Sequence, residues 1–202
     1  MAWWAAVLTL TGLCLFFRRH GLWTLYFVSG AAGTAVLGAL VVHRPPIEDA
    51  LRLAVAWGVY AALGGPRWLS PFFDTGTFLM PVPGGWVSFQ LDLECLGILE
   101  LLVYTGLVCF YPLLSLREKL SRLAWGIPAV VGLNLARTVL VIALIYWAGL
   151  DATRLAHTVL GRMFFFFAVM GVYWHAFTRS TVTAYAGLGG KRAARPGKGM
   201  TA

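Results

Sequence analysis

The chain has 202 residues, of which 59% are hydrophobic and only 12% carry a charge. A soluble domain of this size needs a more polar surface, so the composition excludes a soluble globular protein and favours a polytopic membrane protein. The formal net charge of +8 does not indicate a nucleic-acid-binding face, because the basic residues lie at the ends of apolar runs and in the C-terminal tail.

Six apolar runs are candidates for membrane helices, because each approaches the roughly 20 residues that cross a bilayer. They are 3–17, 21–42, 47–63, 95–115, 123–149 and 156–177. The run 47–63 begins with charged residues, so it either crosses as a short span or lies along the membrane surface. The stretch 64–94 is broken by proline and glycine and gives no regular pattern. The sequence predicts an all-α, polytopic transmembrane helical bundle of about six spans, with a range of about five to seven.

These runs predict one integral-membrane helical domain, residues 1–178. A basic tail, 179–202, follows and is expected to be disordered. The segment REKLSR, 117–122, and the tail are rich in lysine and arginine, so both are expected on the cytoplasmic side of the cell membrane. The ends of the runs near residues 95 and 157 then face the extracytoplasmic side.

Arg137 lies inside an apolar run, where an ionisable group is costly and marks a candidate functional residue. It is about 12 residues, or roughly 18 Å, from the outer end of its run, too deep to reach the interface easily. Asn134 shares its helix face. We expect both side chains to point into the bundle. The alternative is an arginine that only ties helices together through backbone carbonyls.

Cys95 is predicted to open a helix, where the macrodipole favours a thiolate. The adjacent Glu94 opposes this effect, so a nearby cation is needed. Arg137 and His157 are the available candidates, and His157 opens the last run on the same side of the membrane. A thiol, a cation and an imidazole on neighbouring helices suggest a nucleophile with its base.

Other polar and sulfur-containing residues are less informative. Arg162 is a second deep cation, which could line the same cavity or form a structural ion pair with Glu100. Cys14 and Cys109 are interpreted as small apolar residues. The three cysteines show neither disulfide nor metal-ligand spacing, so the sequence predicts no metal and no cofactor.

Three motifs come in the order Cys, Arg, His on the last three runs: ECLGI at 94–98, NLARTV at 134–139 and HTVLGRMFFF at 157–166. In these motifs and their order the chain resembles the exosortase/archaeosortase family of membrane-embedded cysteine transpeptidases, as a compact single-domain member. The resemblance covers about residues 85–177, which would be the catalytic part.

The resemblance implies that Cys95 is the nucleophile, that Arg137 stabilises the thiolate or the oxyanion, and that His157 is the general acid and base. It implies a peptidase that cleaves C-terminal sorting signals of surface proteins near the outer membrane face, through a thioester acyl-enzyme. Substrate proteins would carry a short motif, one transmembrane helix and a basic cluster. Membrane lipids are the other expected partner, and nucleic acid is not one. The supporting residues expected are Glu94, Asn134 and Arg162.

Two other functions fit the sequence. The first is a non-enzymatic small-molecule carrier or binding subunit, whose ligand would contact Arg137 and Asn134. The second is a structural partner in an envelope assembly, in which these residues only pack and pair. The role of Cys95 separates the peptidase from the other two hypotheses, because only the peptidase needs its thiol.

Overall fold

The computed structural model describes residues 2–92, 95–149, 151, 153 and 155–178. This part of the chain is mostly helical, with a small sheet between the third and fourth α-helices. The elements are α1 (Ala2–Arg19), α2 (Trp23–Val42), α3 (Pro45–Ala62), β1 (Ser70–Phe72), β2 (Thr77–Val82), β3 (Gly85–Gln90), α4 (Ile98–Phe110), α5 (Leu116–Ala148) and α6 (Gly161–Tyr173). Two π-helical segments, Leu155–Leu160 and Trp174–Thr178, flank α6. The predicted tail, 179–202, lies outside the described residues.

Three helical segments are long and apolar enough to cross a membrane. They are Trp23–Val42, Leu116–Ala148 and Leu155–Thr178. α4 is also apolar, but it has only 13 residues. The structure therefore agrees with a helical membrane protein in outline, and three of the predicted spans meet the length and composition that crossing requires.

The stretch 64–94, which showed no regular pattern in the sequence, contains a three-stranded antiparallel sheet of order β1-β2-β3. The strands form because their side chains alternate with a period of two. On β3, Val87 and Phe89 are buried, whereas Trp86, Ser88 and Gln90 are exposed. The all-α prediction therefore omitted one part of the fold, the small sheet between α3 and α4.

The helix α3 packs on this sheet, and together they form a unit that we call the cap (residues 45–92). The rings of Trp57 and Phe73 stack with their centroids 4.2 Å apart. Val59 on α3 is fully buried in the same cluster as Phe78 on β2. The sequence did not decide whether the run 47–63 is a short span or a surface helix. In the structure this run forms the helical layer of the cap.

The long helix α5 connects the cap to the helical bundle. It has 33 residues and so is about 50 Å long, which exceeds the roughly 30 Å hydrocarbon core of a bilayer. It begins with a capping box between Ser115 and Glu118, so REKLSR, which lies between two of the predicted runs, forms its first turns. Near its other end, Ile142 and Ile145 are buried in the core of the cap.

Small residues let α2 and α4 approach closely. Gly106 on α4 lies against the backbone of α2, because an added Cβ would be 2.9 Å from the carbonyl oxygen of Ala31. Gly30 and Ala35 are also buried on this side of α2. Close approach of this kind is how helices associate where lipid removes the hydrophobic driving force.

This packing predicts different changes in stability for two glycine variants. Gly106→Ala should destabilise the protein by about 1–3 kcal/mol relative to Gly132→Ala, because its methyl group would press on backbone atoms that cannot rotate away. Gly132 is the matched control, since it is also helical and nothing lies within 4 Å of its added Cβ. Thermal unfolding in one detergent measures the difference. Equal melting temperatures for the two variants would contradict the packing.

Candidate active site

Cys95 lies in the turn between the cap and α4, and its backbone is fixed on both sides. Its N–H donates to the carbonyl of Asp92 at 2.8 Å. Its carbonyl accepts a hydrogen bond of 2.7 Å from Nδ2 of Asn134 on α5. This bond also sets the orientation of the amide, because the flipped amide would place two acceptor oxygens together. The Asn134 Oδ1 is buried and has no hydrogen-bond partner within the described part of the chain.

Gly97 allows this turn to lie against α5. Its φ of +66° is in the left-handed region, which residues with a side chain rarely adopt. An added Cβ would also lie 2.7 Å from Cγ of Asn134. Conformation and space therefore both require glycine two residues after the cysteine.

The same turn brings Cys95 to His157, which is 62 residues later in the chain. The Sγ of Cys95 lies 3.5 Å from Nε2 of His157, within hydrogen-bonding distance for sulfur. His157 belongs to the π-helical segment Leu155–Leu160, a distortion that is frequent at functional sites. The ring of Phe89 on β3 lies edge-on to the imidazole, 5.6 Å between centroids. Cys95 is only 3% exposed, whereas His157 is half-buried and open to one side.

Arg137 is buried on the face of α5 that carries Asn134. It is 4% exposed, and its guanidinium carbon lies 5.4 Å from the centre of the Phe165 ring. Its Nε would be 3.7 Å from a Cβ added to Gly161, which is one helical turn after His157. The structure therefore places a cation one turn from the imidazole. Glycine is required at 161 by a different neighbour, because an added Cβ would lie 2.7 Å from Cγ2 of Val141.

Arg162 lies on α6 and Glu100 lies on α4. They line a groove of about 970 Å³ between α2, α4 and α6. The walls of this groove are largely apolar, and Arg137 is one of its lining residues. Arg137 is thus the residue shared by the groove and the buried site.

The predicted site residues are distributed as follows. Cys95 and His157 are in contact, and Asn134 holds the backbone of the cysteine. Arg137 is buried on the same face of α5 as Asn134, and Arg162 is an exposed groove residue. Glu94 lies outside the described residues. Within the described ranges, no group of three or more His, Cys, Asp or Glu side chains could hold a metal ion.

Sequence reasoning missed Phe89 and Gly97. The alternation of apolar and polar residues over 87–90 was the available signal for a strand that would place Phe89 on a buried face. The signal for Gly97 was its position after a polar turn and before an apolar run, where a glycine often supplies a left-handed residue.

Comparisons of the chain with protein-family models, with curated proteins and with solved structures gave no match. The resemblance to the exosortase/archaeosortase family therefore remains a prediction that rests on three short motifs and on their order.

The hydrogen bond from Asn134 predicts a specific loss of stability. Asn134→Leu should cost about 1–3 kcal/mol, because the buried carbonyl of Cys95 loses its donor. Thr138→Val is the matched control: Thr138 is also buried on α5, but its hydroxyl bonds only to the carbonyl of Asn134 in its own helix. Thermal unfolding should show a drop of several degrees for Asn134→Leu and a smaller one for the control. Equal drops would show that the side chain does not anchor the turn.

Proposed function

We propose that this protein is a membrane-embedded cysteine peptidase or transpeptidase that cleaves C-terminal sorting signals of surface proteins. The observation that supports this proposal best is the contact between the Cys95 Sγ and the His157 Nε2. A thiol within reach of an imidazole, on segments far apart in sequence, is the arrangement that nucleophilic catalysis requires. The π-helical geometry around His157 and the anchored turn around Cys95 hold the two groups together.

The proposed reaction has two steps. His157 accepts the proton of the Cys95 thiol, and the sulfur attacks the carbonyl carbon of the scissile amide. When the C–N bond breaks, the leaving amine takes this proton from the imidazole, and a thioester to Cys95 remains. Water, or another amine or hydroxyl, then gives its proton to His157 and attacks the thioester carbonyl. The sulfur leaves, and the thiol is restored when the imidazole returns the proton.

Arg137 would stabilise the negative charge that develops in these steps. A guanidinium is always ionised, and in a buried setting its field is stronger than in water. Its position one turn from His157 is suitable for a thiolate or for the oxyanion of the tetrahedral intermediate. Asn134 is a positioning residue, since its amide donates to the backbone carbonyl of the nucleophile.

The substrate class follows from the resemblance and is compatible with the groove between α2, α4 and α6. A sorting signal with one transmembrane helix would need an apolar surface next to the site, and the groove is lined mainly by apolar side chains. The proposed orientation puts the Cys95–His157 pair at the extracytoplasmic face and the C-terminus in the cytoplasm, with about six spans in total. Membrane lipids would surround the protein, and nucleic acid is not an expected partner.

The proposal predicts that processing in the native host depends on the thiol. Cys95→Ala at matched expression should cause one or more surface proteins to accumulate as precursors that keep a C-terminal membrane helix, since no thioester can form. Intact-mass comparison of membrane and surface proteins measures this. Cys109→Ala is the control, because that exposed cysteine lies at the other end of α4. If every surface protein matures normally without the Cys95 thiol, the peptidase proposal is wrong and the carrier becomes the better hypothesis.

A further inference from the structure

The strand β3 forms one edge of the sheet, and its outward-facing backbone groups can be identified. Leu91 N–H donates to the carbonyl of Gly76 at 3.0 Å, one position beyond the pair Thr77 and Gln90. Hydrogen-bonded and non-hydrogen-bonded pairs alternate along antiparallel strands. The odd-numbered residues of β3 therefore bond to β2. The groups that point away from the sheet are the N–H and C=O of Trp86, Ser88 and Gln90.

The opposite edge of the sheet is blocked. Pro71 on β1 is paired with Phe78, whose backbone bonds go to β3 by the same alternation. Pro71 thus occupies the outward-facing position of β1, and it has no N–H to offer. β1 is also only three residues long. Natural sheets use short strands and proline in this way to prevent strand addition.

The edge of β3 carries no such protection. The strand has six residues and no proline, and the residues with outward backbone groups are exposed. Within the described part of the chain, no backbone group outside β2 hydrogen-bonds to β3. An open edge with at least three outward donors is a template for another extended chain.

This edge leads directly to the candidate nucleophile. The chain leaves β3 at Gln90 and reaches Cys95 five residues later. The ring of Phe89, near the end of β3, contacts the imidazole of His157. A peptide lying along the edge would therefore run towards the thiol–imidazole pair.

We propose that the open edge of β3 binds the substrate segment that precedes the cleaved bond, as an added extended strand. This inference rests on the proposed function and specifies how that site recognises its substrate. Main-chain hydrogen bonds to an exposed strand give affinity, and contacts with alternate side chains give specificity. An extended chain also leaves its carbonyl groups accessible to the sulfur.

The direction of the bound segment follows from the ends of β3. The strand starts beside the end of α5, where Pro83 adjoins Gly149, and it ends near Cys95. A substrate whose membrane helix follows the cleaved bond runs in the same direction as β3. Its earlier residues lie near Trp86, and its scissile carbonyl lies near the sulfur. The pairing is therefore parallel, and the exposed indole of Trp86 contacts a substrate side chain.

Ser88→Pro tests the proposal, because it removes one outward N–H and leaves the bonds between β2 and β3 intact. Processing of the precursors defined by Cys95→Ala should slow at least about tenfold, as expected for the loss of one backbone hydrogen bond to the substrate. Ser88→Ala keeps the N–H and should retain most of the processing that Ser88→Pro loses. Pro71→Ala, on the blocked edge, should process like the wild type.

The outcomes separate this inference from the proposed function. If precursors accumulate with Cys95→Ala while Ser88→Pro processes as well as Ser88→Ala, strand addition is refuted and the peptidase stands. If Cys95→Ala causes no accumulation, both proposals fail.

A second measurement does not depend on the folding of the proline variant. Hydrogen exchange is compared in Cys95→Ala protein with and without the accumulated precursor bound. The amides of Trp86, Ser88 and Gln90 should exchange at least about tenfold more slowly in the complex, because each gains an acceptor or is shielded. Unchanged exchange at all three amides in the complex overturns the proposal.

Discussion

The hydrogen bond between the Asn134 amide and the carbonyl of Cys95 is the constraint on which the arrangement of the site depends. It joins the turn that carries the thiol to the long helix that carries Arg137. Both partners are buried, so leaving the carbonyl without a donor costs about 1–3 kcal/mol. Gly97 makes the bond possible, since a side chain there would occupy the space of the amide. The backbone of the cysteine is therefore held by hydrogen bonds to Asp92 and Asn134. The imidazole that contacts its sulfur comes from the segment Leu155–Leu160.

The cap explains how the Cys95 thiol is held at the end of an apolar helix. The C-terminal part of α5 is buried against α3 and the sheet, so the cap and the bundle share one rigid element. The sheet then supplies Phe89 against the imidazole, and α5 supplies Asn134 below the cysteine. In this arrangement the thiol–imidazole pair lies where the cap meets the bundle. At this junction, a peptide extended along β3 and a ligand in the apolar groove could both reach the pair.

The sequence predicted the parts of the fold that depend on apolar runs and on rare intramembrane polar residues. Arg137 and Asn134 could be identified as candidate site residues, because polar side chains are costly inside an apolar run and usually have a function there. The sequence predicted that Cys95 and His157 lie close together because each opens a run on the same side of the membrane, and the structure has them in contact. The sheet could not be predicted in the same way, since Pro71, Pro81 and Pro83 break the pattern over 70–90. Those prolines fit the strands only because of their pairing positions, which become visible in the structure. The π-helical turn at His157 likewise has no signal in the sequence.

The most direct test of the central claim is the alkylation rate of Cys95 by iodoacetamide at neutral pH, in protein with Cys14→Ala and Cys109→Ala. If the imidazole activates the thiol through the observed contact, adding His157→Ala should slow alkylation at least about tenfold, since an ordinary thiol is mostly protonated at this pH. Equal rates with and without the imidazole would show that the contact is only packing, and the account of a nucleophile with its base would be wrong.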